Sequence, residues 1–343
     1  MKALVYRGPG EISLEEVEDP SPADDEILLR VDAAGVCGTD RHIVAGELGV
    51  RPGTVPGHEI AGTVVRSGSR LEGWQTGDRV ACFGQVTCGV CPACRAGAPN
   101  RCREPVVLGM NRQGGFAEQV ALPASCLVRL PEGISSPVGA IATDAIATPL
   151  HALWTVGGLR PGETVIVIGA GGLGLHAVQL ARLAGAARVV AVDPCEAARK
   201  AALDAGADAV MDPGNERDPV RALRRLARGA TLALECVGRA ETVELGLAVL
   251  TTGGRLVVVG VGTERPRLPA LARFIGTELC VLGSFGSTPA EIETVLDLIE
   301  HGRLDVSRSV QRQVPLDEAA AIFSEPGGPA RTVILPQREE LHG

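Results

Sequence analysis

The sequence predicts an α/β protein with two parts, a β-rich N-terminal region and a doubly wound parallel sheet. Over residues 1–150, short apolar runs are broken by Gly and Pro roughly every 8–12 residues, which is typical of strands joined by turns. From about residue 155 the pattern changes to buried strands alternating with amphipathic helices. That alternation indicates a parallel sheet covered by helices on its faces.

The individual elements follow from local patterns. EILLRVDAAGV, AGTVVRSG and GDRVACFG are strand candidates of the first region. In the second region, ETVIVIG (163–169) predicts a buried strand, LGLHAVQLARLAG (173–185) a helix and RVVAVD (188–193) the next strand. The alternation continues through GRLVVVGVG and fades after LCVLGSFGS, and ARTVILP near the C-terminus is a further strand candidate.

Composition excludes several classes of partner. The chain has 343 residues, a net charge of −8 and a pI of about 5.4, so no basic field attracts nucleic acid or an anionic membrane. The basic segment RALRRLAR fits a solvated helix face opposite Val220, Leu223 and Leu226. No apolar stretch is long enough to span a bilayer, and MKALVYRGPG breaks too early for a signal peptide. We expect a cytoplasmic protein.

Four cysteines stand in the segment CGVCPACRAGAPNRC with the spacing C-x2-C-x2-C-x7-C: Cys88, Cys91, Cys94 and Cys102. A reducing compartment disfavours disulfides there, and four thiolates complete a tetrahedron around Zn²⁺. We therefore predict a structural zinc lobe over about 85–105, with an Fe–S cluster or a metal-free loop as alternatives. The single cysteines elsewhere fit small core residues, Cys37 excepted.

The glycine loop GAGGLG, which spans Gly169, Gly171, Gly172, Leu173 and Gly174, follows a strand and opens a helix. In that context it predicts a Rossmann site, where glycines permit a tight turn, close approach of a pyrophosphate and helix packing. The alternative is a plain strand-to-helix turn.

Asp193 ends the next strand, 19 residues after Gly174. A carboxylate at that place accepts hydrogen bonds from the ribose hydroxyls of NAD and repels the 2′-phosphate of NADP. Asp193 as a simple helix cap is the alternative. Arg199 and Lys200 lie nearby and keep NADP as a second option.

A closed four-cysteine site does no chemistry, so a catalytic metal would need other ligands. AGVCGTDRHI contains Cys37, and VPGHEIAG contains His58 and Glu59. Cys37 and His58 together supply two ligands of an open zinc site, although a lone histidine is more often a hydrogen-bonded core residue.

These motifs resemble the zinc-dependent medium-chain dehydrogenase/reductase family of alcohol and polyol dehydrogenases. The resemblance covers nearly the whole chain and rests on GVCGTD, GHEIAG, the cysteine lobe, GGFAE, GAGGLG and Asp193 in the expected order. It implies a GroES-like catalytic domain over 1–150, a Rossmann NAD-binding domain over 151–286 and a return to the catalytic domain over 287–343.

The resemblance also implies site roles. Cys37 and His58 match catalytic zinc ligands, Asp144 in TDAIATPLHAL matches the third, and Glu59 matches a neighbouring or exchangeable ligand. Asp144 at a helix end and Glu59 in a salt bridge are the alternatives. With two Zn²⁺ per chain and NAD, the catalytic zinc would act as a Lewis acid while hydride passes to nicotinamide.

A proton path is expected beside the catalytic zinc. Thr39, two residues after Cys37, can place its hydroxyl beside the bound oxygen, and His42 matches the relay histidine of the family. Asp40 is expected to orient the loop. The alternatives are a turn-capping hydroxyl for Thr39 and a surface imidazole for His42.

The substrate class is the last expectation. Few aromatic residues, Gly84 beside the zinc site and the polar run Asn111, Arg112, Gln113 favour a polar secondary alcohol, as in polyol and threonine dehydrogenases. If that run only holds a turn, plain secondary alcohols fit better. The rival functions are a zinc-independent quinone or enoyl reductase and a non-catalytic NAD-binding protein. We expect a homo-oligomer, a tetramer before a dimer, paired near the strand at 256–262.

Overall fold

The computed structural model describes residues 1–325, 328 and 330–337. The chain folds into two compact units. The first unit combines 1–147 with the C-terminal segment from 287 onward, and the second is the continuous segment 148–286. Within the described residues, no helix has the length and apolar character needed to cross a membrane.

The strands of the described chain, in order, are β1 (Lys2–Gly8), β2 (Glu11–Glu16), β3 (Glu26–Val36), β4 (Glu59–Ser67), β5 (Arg79–Cys82), β6 (Gln85–Val86), β7 (Val106–Val107), β8 (Gln119–Pro123), β9 (Leu127–Arg129), β10 (Thr164–Ile168), β11 (Arg188–Val192), β12 (Ala209–Met211), β13 (Leu232–Glu235), β14 (Arg255–Val258), β15 (Cys280–Gly283), β16 (Val310–Pro315) and β17 (Arg331–Leu335).

The α-helices are α1 (Gly38–Val44), α2 (Pro92–Arg95), α3 (Ser136–Ile141), α4 (Ala147–Leu150), α5 (Gly172–Leu183), α6 (Glu196–Asp204), α7 (Pro219–Leu226), α8 (Ala240–Val249), α9 (Leu271–Gly276) and α10 (Pro289–Glu300). Two π-helical segments cover Ala142–Ile146 and His151–Val156. Short 3₁₀ segments cover Pro99–Arg101, Ala124–Cys126, Pro213–Asn215 and Leu316–Ser324.

The first unit is built on a seven-stranded sheet in the order β16-β17-β3-β4-β5-β9, with β8 also paired to β3. The long strand β3 is buried along most of its length because its run of apolar residues lies inside the sheet. Strand β17 pairs antiparallel with the end of β3, with Thr332 opposite Val36. The C-terminal segment therefore returns to the unit that holds Cys37.

The second unit carries a six-stranded, all-parallel sheet in the order β12-β11-β10-β13-β14-β15. This order is that of the doubly wound dinucleotide-binding fold, so the predicted fold class is confirmed. The interior strands β10 and β11 are almost completely buried, as expected for continuous Val and Ile runs covered on both faces.

One expectation about the sheet edge needs correction. Strand β14, the strand expected near the free edge, is hydrogen-bonded on both sides, and residues 259–262 lie outside it. The outer strand is β15, which follows it in space. Its residues Cys280 and Val281 are exposed, and so are Leu271 and Ile275 of α9. The apolar run in β14 reflects burial inside the sheet rather than an unguarded edge.

Candidate active site

Four side chains of the first unit converge on one point: Cys37, His58, Glu59 and Asp144. Their ligand atoms all lie within 4.8 Å of one another. Asp144 Oδ2 is 3.4 Å from Cys37 Sγ and 3.9 Å from His58 Nε2. The cluster gathers residues separated by up to 107 positions in the chain, which only the sheet and the segment after α3 bring together.

Neighbouring strands place three of the four residues. Cys37 follows the last residue of β3 and caps α1, while Glu59 opens β4 directly opposite Gly35. The register demands glycine at Gly35, because a Cβ there would overlap the Glu59 carboxylate and lie 3.0 Å from Glu59 Cβ. Gly57 adopts φ +98°, and this turn leads into His58.

Asp144 reaches the cluster from a widened helical turn. It lies in the π-helical segment Ala142–Ile146, which continues α3. Single π-turns inside helices are rare and occur frequently at functional sites. The third-ligand pattern TDAIATP points to Asp144 but does not predict that widened turn.

Asp40 holds the cluster from behind and is fully buried. Its Oδ2 accepts a hydrogen bond from the backbone N–H of Cys37 at 2.8 Å, and its Oδ1 accepts one from Gly57 at 3.2 Å. Oδ1 also lies 3.5 Å from His58 Nδ1. A carboxylate behind a ligand histidine fixes the ring and leaves the other nitrogen to the metal, which agrees with the expected orienting role.

Arg331 is the site residue that sequence reasoning missed. It opens β17, is buried, and places Nη2 2.8 Å from Glu59 Oε1, 3.4 Å from Asp144 Oδ2 and 3.5 Å from Cys37 Sγ. Its guanidinium therefore supplies a positive charge to a cluster of acidic groups. The signal that could have revealed it is the pairing of ARTVILP with β3, which places position 331 next to Cys37.

Burial controls protonation in this cluster. Burial raises the pKa of Glu59 to about 8, although Arg331 opposes the shift. For His58, burial favours the neutral ring, but the Asp40 carboxylate and the Cys37 thiol outweigh it and raise the pKa well above its ordinary value. Without a metal, the site therefore retains protons that metal binding would displace.

The donor set fits a transition-metal ion. Thiolate, imidazole and carboxylate in a compact, buried group are the ligands of catalytic zinc sites. Within the described residues, both Glu59 oxygens are buried without a hydrogen bond of good geometry. Such groups cost free energy unless an ion or a charge compensates them, as Arg331 does for Glu59 and zinc would for the ligand atoms.

The expected proton-path residues lie close to the cluster. Thr39 Oγ1 is 3.8 Å from Cys37 Sγ, so its hydroxyl borders the ligand sulfur. His42 is half-exposed on the next turn of α1, and its Nδ1 is 2.5 Å from Glu47 Oε2. His42 thus has a carboxylate partner facing solvent.

The four cysteines of the lobe form a second, separate cluster. Cys91 Sγ lies 3.5 Å from Cys94 Sγ, Cys102 Sγ lies 3.6 Å from Cys88 Sγ, and all four sulfurs lie within 4.8 Å of one another. Backbone N–H groups lower the pKa values of Cys91 and Cys102, which favours thiolates. No histidine or carboxylate joins this set among the described residues, so it offers a closed tetrahedron.

The glycine loop of the second unit has the geometry of a phosphate cradle. Gly169 has φ +89°, a conformation that other residues adopt at a cost. A Cβ at Gly174 would collide with the Gly169 carbonyl oxygen, while Gly171 faces open space. Helix α5 begins at Gly172, so its free N–H groups point at this opening.

Asp193 is held beside that loop by backbone donors. Its Oδ2 accepts from Ala170 N and its Oδ1 from Cys195 N, each at 2.8 Å. Each carboxylate oxygen can accept a second hydrogen bond, so the capping role and a ribose-binding role are compatible. A cavity of about 810 Å³ adjoins the loop and is lined by residues that include Gly169, Val192, Pro194, Val237 and Arg239.

The polar run after the cysteine lobe serves the fold. Asn111 Oδ1 accepts from Val107 N at 2.6 Å, and Gln113 Oε1 accepts from Val55 N at 2.6 Å. Arg112 forms an ion pair with Glu26 at 2.5 Å. These contacts hold the turn, so the run gives no support to a polar substrate. Gly84 does border the metal cluster, since a Cβ there would lie 3.5 Å from His58 Cβ.

Comparison with known proteins agrees with this site. Residues 23–132 match the alcohol dehydrogenase GroES-like domain, and residues 172–301 match the zinc-binding dehydrogenase family. An L-threonine 3-dehydrogenase of Streptomyces coelicolor is 34% identical over 98% of this chain and 99% of its own. An alcohol dehydrogenase of Geobacillus stearothermophilus is 31% identical over 98% and 99%.

Solved structures show the same architecture. A protein described as a zinc-binding dehydrogenase of Sinorhizobium meliloti 1021, bound to NADP, is similar with a TM-score of 0.90, 35% identity and coverage of 98% of this chain and 99% of that one. The chain belongs to the zinc-dependent medium-chain dehydrogenase family. It is a dehydrogenase that uses zinc and a nicotinamide coenzyme.

Proposed function

We propose that the protein oxidises a secondary alcohol to a ketone with NAD, and that the preferred alcohol carries a further polar group. The observation that carries the reaction type is the convergence of Cys37, His58, Glu59 and Asp144 in one buried cluster. A thiolate, an imidazole and a carboxylate leave one zinc position open for an oxygen ligand. A zinc-independent reductase or a non-catalytic protein has no use for that arrangement.

In this proposal Cys37, His58 and Asp144 hold the catalytic zinc, and Glu59 is a neighbouring ligand that Arg331 competes for. Bound zinc supplies Lewis-acid polarisation of the alcohol oxygen and lowers its pKa. Asp40 keeps His58 in the ligating orientation through its contacts with Nδ1 and the backbone of Cys37. Arg331 balances the acidic charges of the cluster so that burial is tolerated.

The proton of the alcohol leaves through side chains of α1. Thr39 is the first relay, because its hydroxyl borders the cluster: Oγ1 accepts this proton while the hydroxyl's own proton passes on. His42, half-exposed and paired with Glu47, receives the relayed proton near solvent. The four-cysteine lobe holds a second zinc that stabilises the fold and takes no part in this transfer.

The choice of NAD rests on Asp193. Its carboxylate lies at the end of β11 beside the glycine loop, where it can accept ribose hydroxyls and repel an added phosphate. The Sinorhizobium protein is bound to NADP, so the coenzyme of this chain is decided by its own residues. Equal kcat/KM for NAD and NADP would contradict this assignment.

The substrate class is supported by the relatives. Gly84 places no side chain against His58, because a Cβ there would lie 3.3 Å from the His58 carbonyl oxygen. The Streptomyces relative acts on L-threonine, a secondary alcohol with charged neighbours. A second candidate is a plain secondary alcohol, because Asn111, Arg112 and Gln113 are occupied by contacts within the chain.

The deciding experiment compares kcat/KM with NAD across two panels. One contains L-threonine, other amino alcohols, polyols and cyclitols, and the other contains 2-butanol, cyclohexanol and similar alcohols. We expect the best polar substrate to exceed the best plain alcohol by tenfold or more, which is about 1.4 kcal/mol of transition-state binding. The opposite order assigns the protein to plain secondary alcohols, and no turnover on either panel contradicts the proposal.

We also propose that the protein is a cytoplasmic enzyme, where its thiols stay reduced. Its copies form a homo-oligomer that pairs through β15. The outer strand lacks charged residues, and Leu271 and Ile275 of α9 are exposed at 67% and 70%. Uncharged outer strands are pairing surfaces. Light scattering should show a dimer or tetramer, and Val281→Lys on β15 should shift it toward a monomer. A wild type of 35.4 kDa in solution would contradict the pairing.

A further inference from the structure

The turn that carries Asp193 is fastened from below by Arg199. This side chain is largely buried on α6, and its Nη1 donates to the carbonyl oxygens of Asp193 at 2.8 Å and Pro194 at 2.7 Å. The same nitrogen lies 3.2 Å from Asp212 Oδ2. The guanidinium that a sequence reading offers to the 2′-phosphate of NADP is therefore engaged elsewhere.

Asp212 is itself rigidly placed. It follows the last residue of β12 and caps the next turn, where Oδ1 accepts from Gly214 N and Oδ2 from Asn215 Nδ2, both at 2.9 Å. The backbone N–H of Asp193 donates to the Met211 carbonyl at 3.1 Å. The ends of β11 and β12 are thus tied together at the edge where the Asp193 carboxylate projects.

We propose that Asp212, acting through Arg199, determines the choice of coenzyme. The pair has two effects. It positions the Asp193 turn for the ribose hydroxyls, and it keeps a guanidinium away from the place where NADP carries its extra phosphate. Arginine is the side chain best suited to bind a phosphate. Holding Arg199 in place therefore weakens NADPH binding in addition to the repulsion from Asp193. The inference rests on the proposed preference for NAD.

The test measures binding of NADH and NADPH by nicotinamide fluorescence, without any alcohol substrate. Asp193→Ser alone should narrow the ratio of the two Kd values. Adding Asp212→Asn should tighten NADPH binding about tenfold more, because Arg199 then keeps only its two carbonyl contacts and can turn toward the phosphate. Adding Arg199→Gln to that double variant should remove the gain. A gain that persists without Arg199, or no gain at all, overturns the inference.

A matched control is available in the same unit. Arg182 Nη1 and Asp208 Oδ2 form a pair at 3.2 Å, and Asp208 precedes β12 at its opposite end. Asp208→Asn in the Asp193→Ser background should leave the Kd ratio unchanged. If it changes the ratio as much as Asp212→Asn does, the effect is a general loosening and the inference is wrong.

A second variant protects the test against a folding defect. Arg199→Gln in the Asp193→Ser background keeps Asp212 and its cap but removes the contacts that hold the Asp193 turn, so it should weaken NADH binding and give NADPH binding no gain. Tighter NADPH binding there contradicts the role of Arg199. Equal binding of both coenzymes by the wild type refutes the proposed choice of NAD itself. Failure of the alcohol panel leaves this binding result unaffected, so the two failures are distinguishable.

Discussion

Replacing Arg331 with methionine removes the positive charge from the buried cluster while keeping most of the side-chain volume. The guanidinium is 8% exposed and faces Glu59, whose side chain is fully buried, as well as Asp144 and Cys37. Loss of one partner from a buried pair leaves an uncompensated charge or forces the carboxyl to take up a proton, which costs up to about 3–5 kcal/mol. Because a typical domain has about 5–15 kcal/mol in total, Arg331→Met should unfold a measurable fraction of the enzyme.

The assay is urea unfolding of the zinc-loaded protein at neutral pH, followed by circular dichroism. Glu59→Gln together with Arg331→Met removes both charges and should recover most of the loss, with a coupling free energy above about 2 kcal/mol. A double variant as unstable as the sum of the single variants would refute the claim that these groups compensate each other. Zinc content of each variant shows whether the metal is retained.

Three further outcomes follow from the same site. Asp144→Ala should abolish most turnover but keep about one zinc per chain and a folded protein, whereas Cys94→Ser should impair folding. Metal analysis and thermal unfolding measure these outcomes. A single zinc per chain in the active wild type would contradict the prediction. Gly35→Ala presses a methyl group onto Glu59 and should cost about 1–3 kcal/mol in urea unfolding, unlike Gly38→Ala in open space. Because the pKa of Glu59 is raised from 4.5 to about 8, the Glu59 contribution to stability is fully present below pH 4.5. This contribution is lost as the pH rises through 8. With the catalytic metal removed, the free energy of unfolding should therefore fall by up to about 1.4 kcal/mol per pH unit in that range. Glu59→Gln, which cannot titrate at this position, is the control and should lack this slope. The same flat profile in the wild type would contradict the burial argument.

Local patterns predicted the parts of the site that depend on spacing. The glycine loop lies between β10 and α5, where close packing of Gly174 on Gly169 leaves no room for a side chain. The four cysteines converge because a short segment carries all of them. For such motifs the spacing alone predicts which groups come together, because few residues separate them.

The contact of Arg331 with the cluster escaped prediction for a physical reason. Arg331 is separated from Cys37 by 294 positions, and its place follows from the register of β17 on β3. Likewise β15 is the outer strand because of strand order, which apolar runs alone do not reveal. The polar character of Asn111 suggested a contact with substrate, but its Oδ1 accepts a hydrogen bond from the backbone N–H of Val107. Polarity indicates that a partner exists and does not identify it.

The buried charges explain why the C-terminal segment belongs to the catalytic unit. Cys37, Asp40, Glu59 and Asp144 all come from the first 147 residues of that unit, and together they concentrate acidic groups in its interior. Burying such groups without a cation costs several kcal/mol for each charge. Strand β17 places Arg331 beside Cys37, because the next residue, Thr332, pairs with Val36. The return of the chain therefore supplies the positive charge that opposes the rise in the pKa of Glu59 caused by burial, and the strand pairing that places Arg331 is part of the chemistry of the site.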